Sequence, residues 1–245
     1  MANVNTDGMS KVGTWENGFP RLYELYRASE QSHSDNYFHK IRESYSCYPD
    51  LARRSLGPLE KALESIDKGV WKLFKTKALP LIITRHCRRG WSQLFDRLNE
   101  AFGYEFLAKR DYTSIEFIVP GRTPSPDLVG KSKSSTAILE VETINCSDKQ
   151  IDSLASLSPT VLSWANGLSD GFKNKLLCAV GHARKQLGSF VGPSDKKIVL
   201  LVIRMDCECW FNDKNYKEIQ ELASTQASND LEVVVRWPEK NEADH

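Results

Sequence analysis

The stretch Ser125–Glu142, with the sequence SPDLVGKSKSSTAILEVE, is the part of the chain that decides the fold. It contains two strand-like runs, Asp127–Val129 and Thr136–Glu142, on either side of the turn segment Gly130–Ser135. Short apolar runs that are separated by such turn-forming residues are typical of a β-hairpin. The stretch therefore predicts two neighbouring antiparallel strands.

The hairpin carries three carboxylates in a pattern that favours a cation site. Side chains alternate between the two faces of a strand, so Glu140 and Glu142 point to the same face. If Asp127 opens the neighbouring strand, all three acids meet at one edge of the sheet. Their mutual repulsion is costly unless a cation offsets it, and Mg²⁺ prefers oxygen ligands of this kind. The alternative is an ordinary hairpin with solvated glutamates.

The residues around the hairpin predict a longer α/β pattern. In chain order we expect a helix at Trp91–Phe102 ended by Gly103, strands at Ser114–Val119, Asp127–Val129 and Thr136–Glu142, a helix at Phe172–Leu187 ended by Gly188, a buried strand at Lys197–Arg204, a helix at Asn215–Ser224 and a strand at Leu231–Trp237. Residues 144–170 are predicted to form a loop with a short helix. The order α-β-β-β-α-β, followed by α-β, predicts an α/β fold with a mixed sheet.

The N-terminal part of the chain has a different pattern. Residues 1–18 are polar and are expected to form a flexible tail, whereas residues 19–90 have helical spacing of their apolar residues. Apolar residues from Leu59 to Phe74 predict one helix, with Pro58 in its first turn. We therefore expect a helical N-terminal region at 19–90 and an α/β core at 91–245.

Composition excludes several classes of protein. The chain has 245 residues, of which 40% are hydrophobic and 27% are charged, so it can bury a core and is not disordered throughout. Its longest apolar runs, Ala78–Ile83 and Ile198–Ile203, are far shorter than the ~20 residues that span a bilayer. The first thirty residues have no secretory signal, and the six cysteines form no CxxC pair. We expect a cytoplasmic protein with reduced thiols and no membrane partner.

The hairpin motif and the element order resemble the PD-(D/E)XK nuclease superfamily, which has the restriction-endonuclease-like fold. The resemblance covers roughly residues 91–204 and implies a metal-dependent endonuclease that hydrolyses phosphodiester bonds with Mg²⁺ or Mn²⁺. It implies that Asp127, Glu140 and the backbone carbonyl of Val141 are metal ligands. The family lysine falls on Glu142. In a minority of family nucleases an acid at this position is thought to act as a base or an additional ligand.

The resemblance also implies contributions from the two helices that flank the sheet. The first helix often supplies an acid, for which Glu100 is the candidate and Asp96 the reserve. The second often supplies a Lys, Arg or Gln. There the apolar stripe is flanked by Lys175, His182 and Gln186 on one side and by Lys173 and Arg184 on the other. Lys175 and Gln186 are the candidates, although periodicity alone does not decide which flank faces the site.

The charge distribution favours a nucleic acid as the partner. Basic residues outnumber acidic ones over residues 1–110, and the reverse holds over residues 111–245. A basic half beside an acidic half is compatible with a polyanion-binding face next to a cation site. The candidates for phosphate contacts are the lysines and arginines of the basic segment: Lys72, Lys75, Arg85, Arg88 and Arg89. DNA is favoured over RNA, and a homodimer is compatible with such a protein.

Two other functions stay open at this point. Loss of the motif lysine also occurs in family members that no longer cleave, so an inactive nuclease-fold protein could bind nucleic acid or serve as an assembly subunit. The third hypothesis is a protein-interaction domain with no role in nucleic-acid binding. Other enzyme classes have no support, because the chain lacks a P-loop, a GxGxxG after a strand and a GxSxG nucleophile elbow.

Overall fold

The computed structural model describes residues 15–30, 36–39, 49–84, 90–119, 121, 124–145, 168–204 and 213–238. The chain divides into two compact units, Met1–Leu94 and Phe95–His245. The boundary expected between residues 90 and 91 falls a few residues before this division, and the domain assignment itself stays a prediction.

The first unit is helical over its described residues. Its helices are α1 (Trp15–Gly18), α2 (Pro20–Ser29), α3 (Pro49–Glu64) and α4 (Lys68–Ile82). Residues 1–14 of the expected tail lie outside the described residues. The remainder of that tail forms α1, because Trp15 is buried with its ring centroid 5.7 Å from that of Phe19.

The single helix expected around Leu59–Phe74 is wrong, because the chain turns between α3 and α4. Pro58 lies well inside α3 rather than in a first turn. Ile66, within the turn, is almost fully buried, as are Leu63 before it and Phe74 after it. The apolar spacing therefore continues across the turn because both helices bury residues in the same core, and spacing alone does not show the break.

The second unit contains the sheet. Its elements are α5 (Ser92–Ala108, which begins in the first unit), β1 (Ser114–Phe117), β2 (Leu128–Lys131), β3 (Thr136–Ile144), α6 (Asp170–Ser189), β4 (Lys196–Ile203), α7 (Asp213–Ser224) and β5 (Leu231–Arg236). The five strands follow one another across the sheet in chain order. The β1–β2 and β2–β3 pairs are antiparallel, whereas the β3–β4 and β4–β5 pairs are parallel. The predicted α/β class with a mixed sheet is confirmed.

Helix α5 does not end at Gly103, as the sequence predicted, but continues to Ala108. A Cβ atom on Gly103 would lie 2.8 Å from Val141 Cγ2 and 2.9 Å from Leu139 Cδ2. Gly103 therefore allows α5 to lie close against one face of β3 and does not act as a helix terminator. The buried residues Tyr104 and Leu107 extend the apolar face beyond it.

Helices α6 and α7 pack on the opposite face of the sheet. The core there combines Ile138 and Ile144 of β3, Val199, Leu201 and Ile203 of β4, Phe172, Leu176, Val180, Ala183 and Leu187 of α6, and Ile219 and Ala223 of α7. Helix α6 begins where Ser169 Oγ accepts a hydrogen bond of 3.2 Å from Phe172 N. Residues Ile198–Ile203 are all buried, as a strand covered on both faces requires. No helix in the described part of the chain is long and apolar enough to span a membrane.

Candidate active site

The candidate site lies where strand β3 extends beyond its partner β2. The two strands pair from Lys131 with Thr136 to Leu128 with Leu139. Strand β3 continues to Ile144, and its other side pairs with β4 throughout. Among the described strands, none therefore pairs with residues 140–144 on the β2 side. We call residues 140–144 of β3 the open edge.

Asp127 lies at the start of the open edge. Its backbone N donates a hydrogen bond of 3.1 Å to Leu139 O, which extends the β2–β3 ladder by one residue. Its Oδ2 accepts a hydrogen bond of 2.9 Å from Val141 N. Because the N–H and C=O of one strand residue point to the same side, the Val141 carbonyl also points toward the open edge. The Asp127 carboxylate and the Val141 carbonyl thus lie along the same side of strand β3.

Glu140 is buried beside this carboxylate, with only 5% of the residue exposed. Gln186 Nε2 donates a hydrogen bond of 2.6 Å to its Oε1, whereas Oε2 is buried without a hydrogen-bond partner among the described residues. Burial, together with the negative charges of Asp127 and Glu142, raises the pKa of Glu140 well above its usual range. In the absence of a cation, Glu140 therefore favours its neutral form.

Glu142 is the third acid and lies half-buried on β3. Burial raises its pKa to about 7, with further contributions from the charges of Asp127 and Asp96. Strand β3 carries Glu142, whereas Asp96 comes from α5. The three acids predicted from the hairpin therefore interact electrostatically, together with a fourth from the first flanking helix.

The first-helix candidate, Glu100, has a different environment from its reserve. Glu100 is buried and forms an ion pair with Arg97, one turn earlier on α5. Asp96 is the α5 acid whose charge acts on Glu142. The spacing of acids on a helix did not distinguish the two, because the distinction depends on how α5 is rotated against the sheet.

The structure resolves which flank of α6 faces the hairpin. Gln186 Nε2 donates a hydrogen bond to Glu140 and another, of 3.4 Å, to the carbonyl of Ser125. Lys175 Nζ donates a hydrogen bond of 2.8 Å to Asn145 O. On the other flank, Lys173 pairs with Glu218 of α7 at 2.5 Å. The Lys175–Gln186 flank is thus directed toward strand β3 and the Ser125 loop.

The proposed phosphate-binding residues are only partly described. Lys72 is exposed on α4, whereas Lys75 of the same helix forms an ion pair with Glu24. This pair offsets part of the charge that Lys75 would offer to a phosphate. Arg85, Arg88 and Arg89 lie outside the described residues.

Asn99 of α5 is a polar residue near β3 that the sequence reasoning missed. It is fully buried, and its Nδ2 donates a hydrogen bond of 3.0 Å to Thr143 Oγ1. Its Oδ1 has no hydrogen-bond partner among the described residues. The sequence could have indicated Asn99, because its side-chain amide lies next to the apolar stripe of Trp91–Phe102. A polar group that is buried there requires a hydrogen-bond partner.

The ligand types at the open edge are those that a hard divalent cation prefers. Carboxylates and a backbone carbonyl are the ligands that Mg²⁺ prefers, and it commonly takes only one or two carboxylates together with water. The buried, unpartnered Oε2 of Glu140 is a free acceptor at such a position. Within the described ranges, however, no group of three or more His, Cys, Asp or Glu side chains is arranged so that it could hold one metal ion. A metal here would therefore rest on fewer than three carboxylates in the present arrangement.

Comparisons with known proteins do not assign a family. No family model matches the chain, and no curated protein matches its sequence. Among solved structures, the chain is similar to SfsA of Pyrococcus furiosus in complex with Ca²⁺, with a TM-score of 0.24 and 10% sequence identity. That alignment covers 64% of this chain and 59% of SfsA. A likeness of this size establishes neither a family nor an activity.

Proposed function

We propose that this protein is a metal-dependent endonuclease of the PD-(D/E)XK type, which hydrolyses phosphodiester bonds in DNA in preference to RNA. The observation that carries the proposal is the group of acids at the open edge. Burial, with a further contribution from the negative charges of the neighbouring acids, raises the pKa of both Glu140 and Glu142. A protein that gains nothing from a cation there would have no reason to keep three such costly groups together.

The order of elements supports the same proposal. From α5 to β4 the chain runs α-β-β-β-α-β, and the acids lie at the end of the hairpin between the two helices that cover opposite faces of the sheet. This is the order that the family resemblance implies. The restriction-endonuclease-like fold is therefore proposed together with the activity.

Asp127, Glu140 and the carbonyl of Val141 would hold Mg²⁺ or Mn²⁺. When bound, the cation would offset the negative charge that develops on the scissile phosphate. Gln186 holds the Glu140 carboxyl group through its 2.6 Å hydrogen bond and contacts the Ser125 loop with the same nitrogen. It is thus a positioning residue that keeps Glu140 beside Asp127.

Glu142 would accept the proton of the attacking water, in place of the family lysine. A base works best when its pKa lies near the working pH, and the pKa of Glu142 is raised to about 7. Lys175 lies nearby, at the carbonyl of Asn145, from which an ammonium group could reach a substrate phosphate.

The proposal is tested by measuring Mg²⁺-dependent cleavage of plasmid DNA by the D127N and E140Q variants. Each removes one negative charge with little change in volume, so we expect each to lower the cleavage rate by at least about a hundredfold while the protein stays folded. The matched control is E116Q, which alters an exposed glutamate of β1 in the same sheet. Unchanged cleavage by either site variant would reject the site.

A second candidate function is a nuclease-fold subunit that binds nucleic acid without cutting it. It is favoured by Glu142 at the lysine position and by the lack of a ready three-residue metal group in the described part of the chain. Calorimetric titration with Mg²⁺ and Mn²⁺ discriminates the two. Binding that E140Q abolishes supports the nuclease, whereas no heat at millimolar metal supports the subunit.

A further inference from the structure

The charge of Arg204 is not neutralised by a carboxylate among the described residues. Most other arginines described in the second unit are ion-paired: Arg97 with Glu100, Arg110 with Glu232 and Arg236 with Glu105. Arg184 donates to a backbone carbonyl. The guanidinium of Arg204 instead lies over the ring of Phe95, with 3.6 Å between its Cζ and the ring centroid. The ring holds the side chain in place but leaves its charge available to an anion.

Arg204 also lies at the carboxyl end of the parallel β3–β4 pair. It follows the last residue of β4, and its backbone N donates a hydrogen bond of 2.9 Å to Ile144 O of β3. Lys175 Nζ donates to the next carbonyl along, that of Asn145. Two cations thus accompany this end of the β3–β4 pair.

Arg204 is connected to the acids through helix α5. Phe95, which supports it, directly precedes Asp96, whose charge acts on Glu142. Arg204 itself is not one of the charges that shift the pKa of Glu140 or Glu142. Its position is therefore suited to a group beside the scissile phosphate and not to neutralising the acids themselves.

We propose that Arg204 binds a phosphate of the nucleic-acid strand adjacent to the one that is cleaved. This inference rests on the proposed function for the identity of the substrate, and it adds a binding residue at the carboxyl end of β4. A planar guanidinium can donate two parallel hydrogen bonds to one phosphate, and Phe95 orders it before the substrate arrives.

The test is a fluorescence-anisotropy titration of a labelled DNA duplex at several salt concentrations, in EDTA and in the E140Q background, so that no cleavage occurs. We expect R204Q to weaken binding by about fivefold to tenfold at low salt and to reduce the salt slope by about one. R184Q is the matched control, because it removes an exposed arginine of α6 that donates to Gln226 O. It should bind within about twofold of the background.

Loss of packing on Phe95 is separated from loss of charge by a second pair of variants. R204K keeps the charge but not the planar donor pair, so its affinity should lie between that of the background and that of R204M, which keeps an apolar stem and loses the charge. Equal affinity and equal salt slope for R204K, R204M and the background would overturn the inference. Because the assay measures binding alone, a failure of Arg204 is distinguishable from a failure of the cleavage proposal, which the D127N and E140Q cleavage rates decide.

Discussion

Two buried glutamates, one in each unit, show how the same side chain serves different purposes. Glu60 in the first unit and Glu140 in the second are 4% and 5% exposed, and burial raises the pKa of both. Both oxygens of Glu60 are satisfied, because they accept hydrogen bonds of 2.6 Å and 3.0 Å from the backbone N atoms of Arg21 and Leu22. Glu140 has one oxygen without a partner among the described residues and two acids beside it.

The difference separates a structural carboxylate from a candidate functional one. Glu60 satisfies N–H groups in the first turn of α2, which would otherwise be buried without partners. Its burial is thus offset within the fold. The burial of Glu140 is offset only in part, by Gln186 and by the backbone N–H of Asp127. A raised pKa alone would not distinguish the two residues, whereas the hydrogen-bond partners do.

The largest expected effect concerns Glu142. If it is the base, E142Q should lower the Mg²⁺-dependent cleavage rate by about 10²–10⁴-fold. In the wild-type protein the rate should rise with pH, because the base must be deprotonated to accept a proton. The pH–rate profile of plasmid cleavage checks this.

The E142K variant sharpens the test, since it restores the lysine of the family motif. Retained cleavage by E142K together with loss by E142Q would support the proposed role. Equal rates for E142Q and the wild-type protein would remove Glu142 from the mechanism.

The next effect concerns Glu60 and stability. E60A leaves the N–H groups of Arg21 and Leu22 without their acceptors, so we expect it to lower the free energy of unfolding by roughly 2–4 kcal/mol. The measurement is urea denaturation followed by circular dichroism. E64A is the control, because Glu64 is exposed one turn further along α3. Similar losses for both variants would contradict the capping role.

The smallest effect concerns the pH dependence of stability in EDTA. The pKa of Glu140 is higher in the folded than in the unfolded state, so the folded state binds more protons and stability falls as pH rises above about 4.5. E140Q removes this contribution and should be more stable than the wild-type protein at pH 8, but not at pH 4. Parallel stability–pH curves for the two proteins would show that Glu140 is not strained by its neighbours.

The sequence predicted the strands and helices of the second unit better than those of the first. Strand β4 and helix α6 have apolar patterns that local periodicity captures, and their bounds agree with prediction to within a few residues. The turn between α3 and α4 was missed because both helices bury residues in one core. Gly103 was misinterpreted as a helix end. The close approach of α5 to Val141 is a tertiary contact, which the local sequence pattern does not show.

The electrostatic interaction among the hairpin acids follows from a local pattern. Alternation along β3 and the short turn to β2 decide where Glu140, Glu142 and Asp127 lie relative to one another. The choice between Asp96 and Glu100, and the flank of α6 that faces the hairpin, depend on the rotation of whole helices against the sheet. Sequence spacing carries no information about that rotation.

The open edge of β3 also has a consequence for how the molecule avoids self-association. A strand edge with unpaired N–H and C=O groups is a template onto which another chain can add a strand, and buried or inward-pointing charges are a known defence. The Asp127 carboxylate occupies the N–H of Val141, which an incoming strand would need. The group proposed to hold a metal thus also takes up one of the hydrogen bonds by which an added strand would extend the sheet.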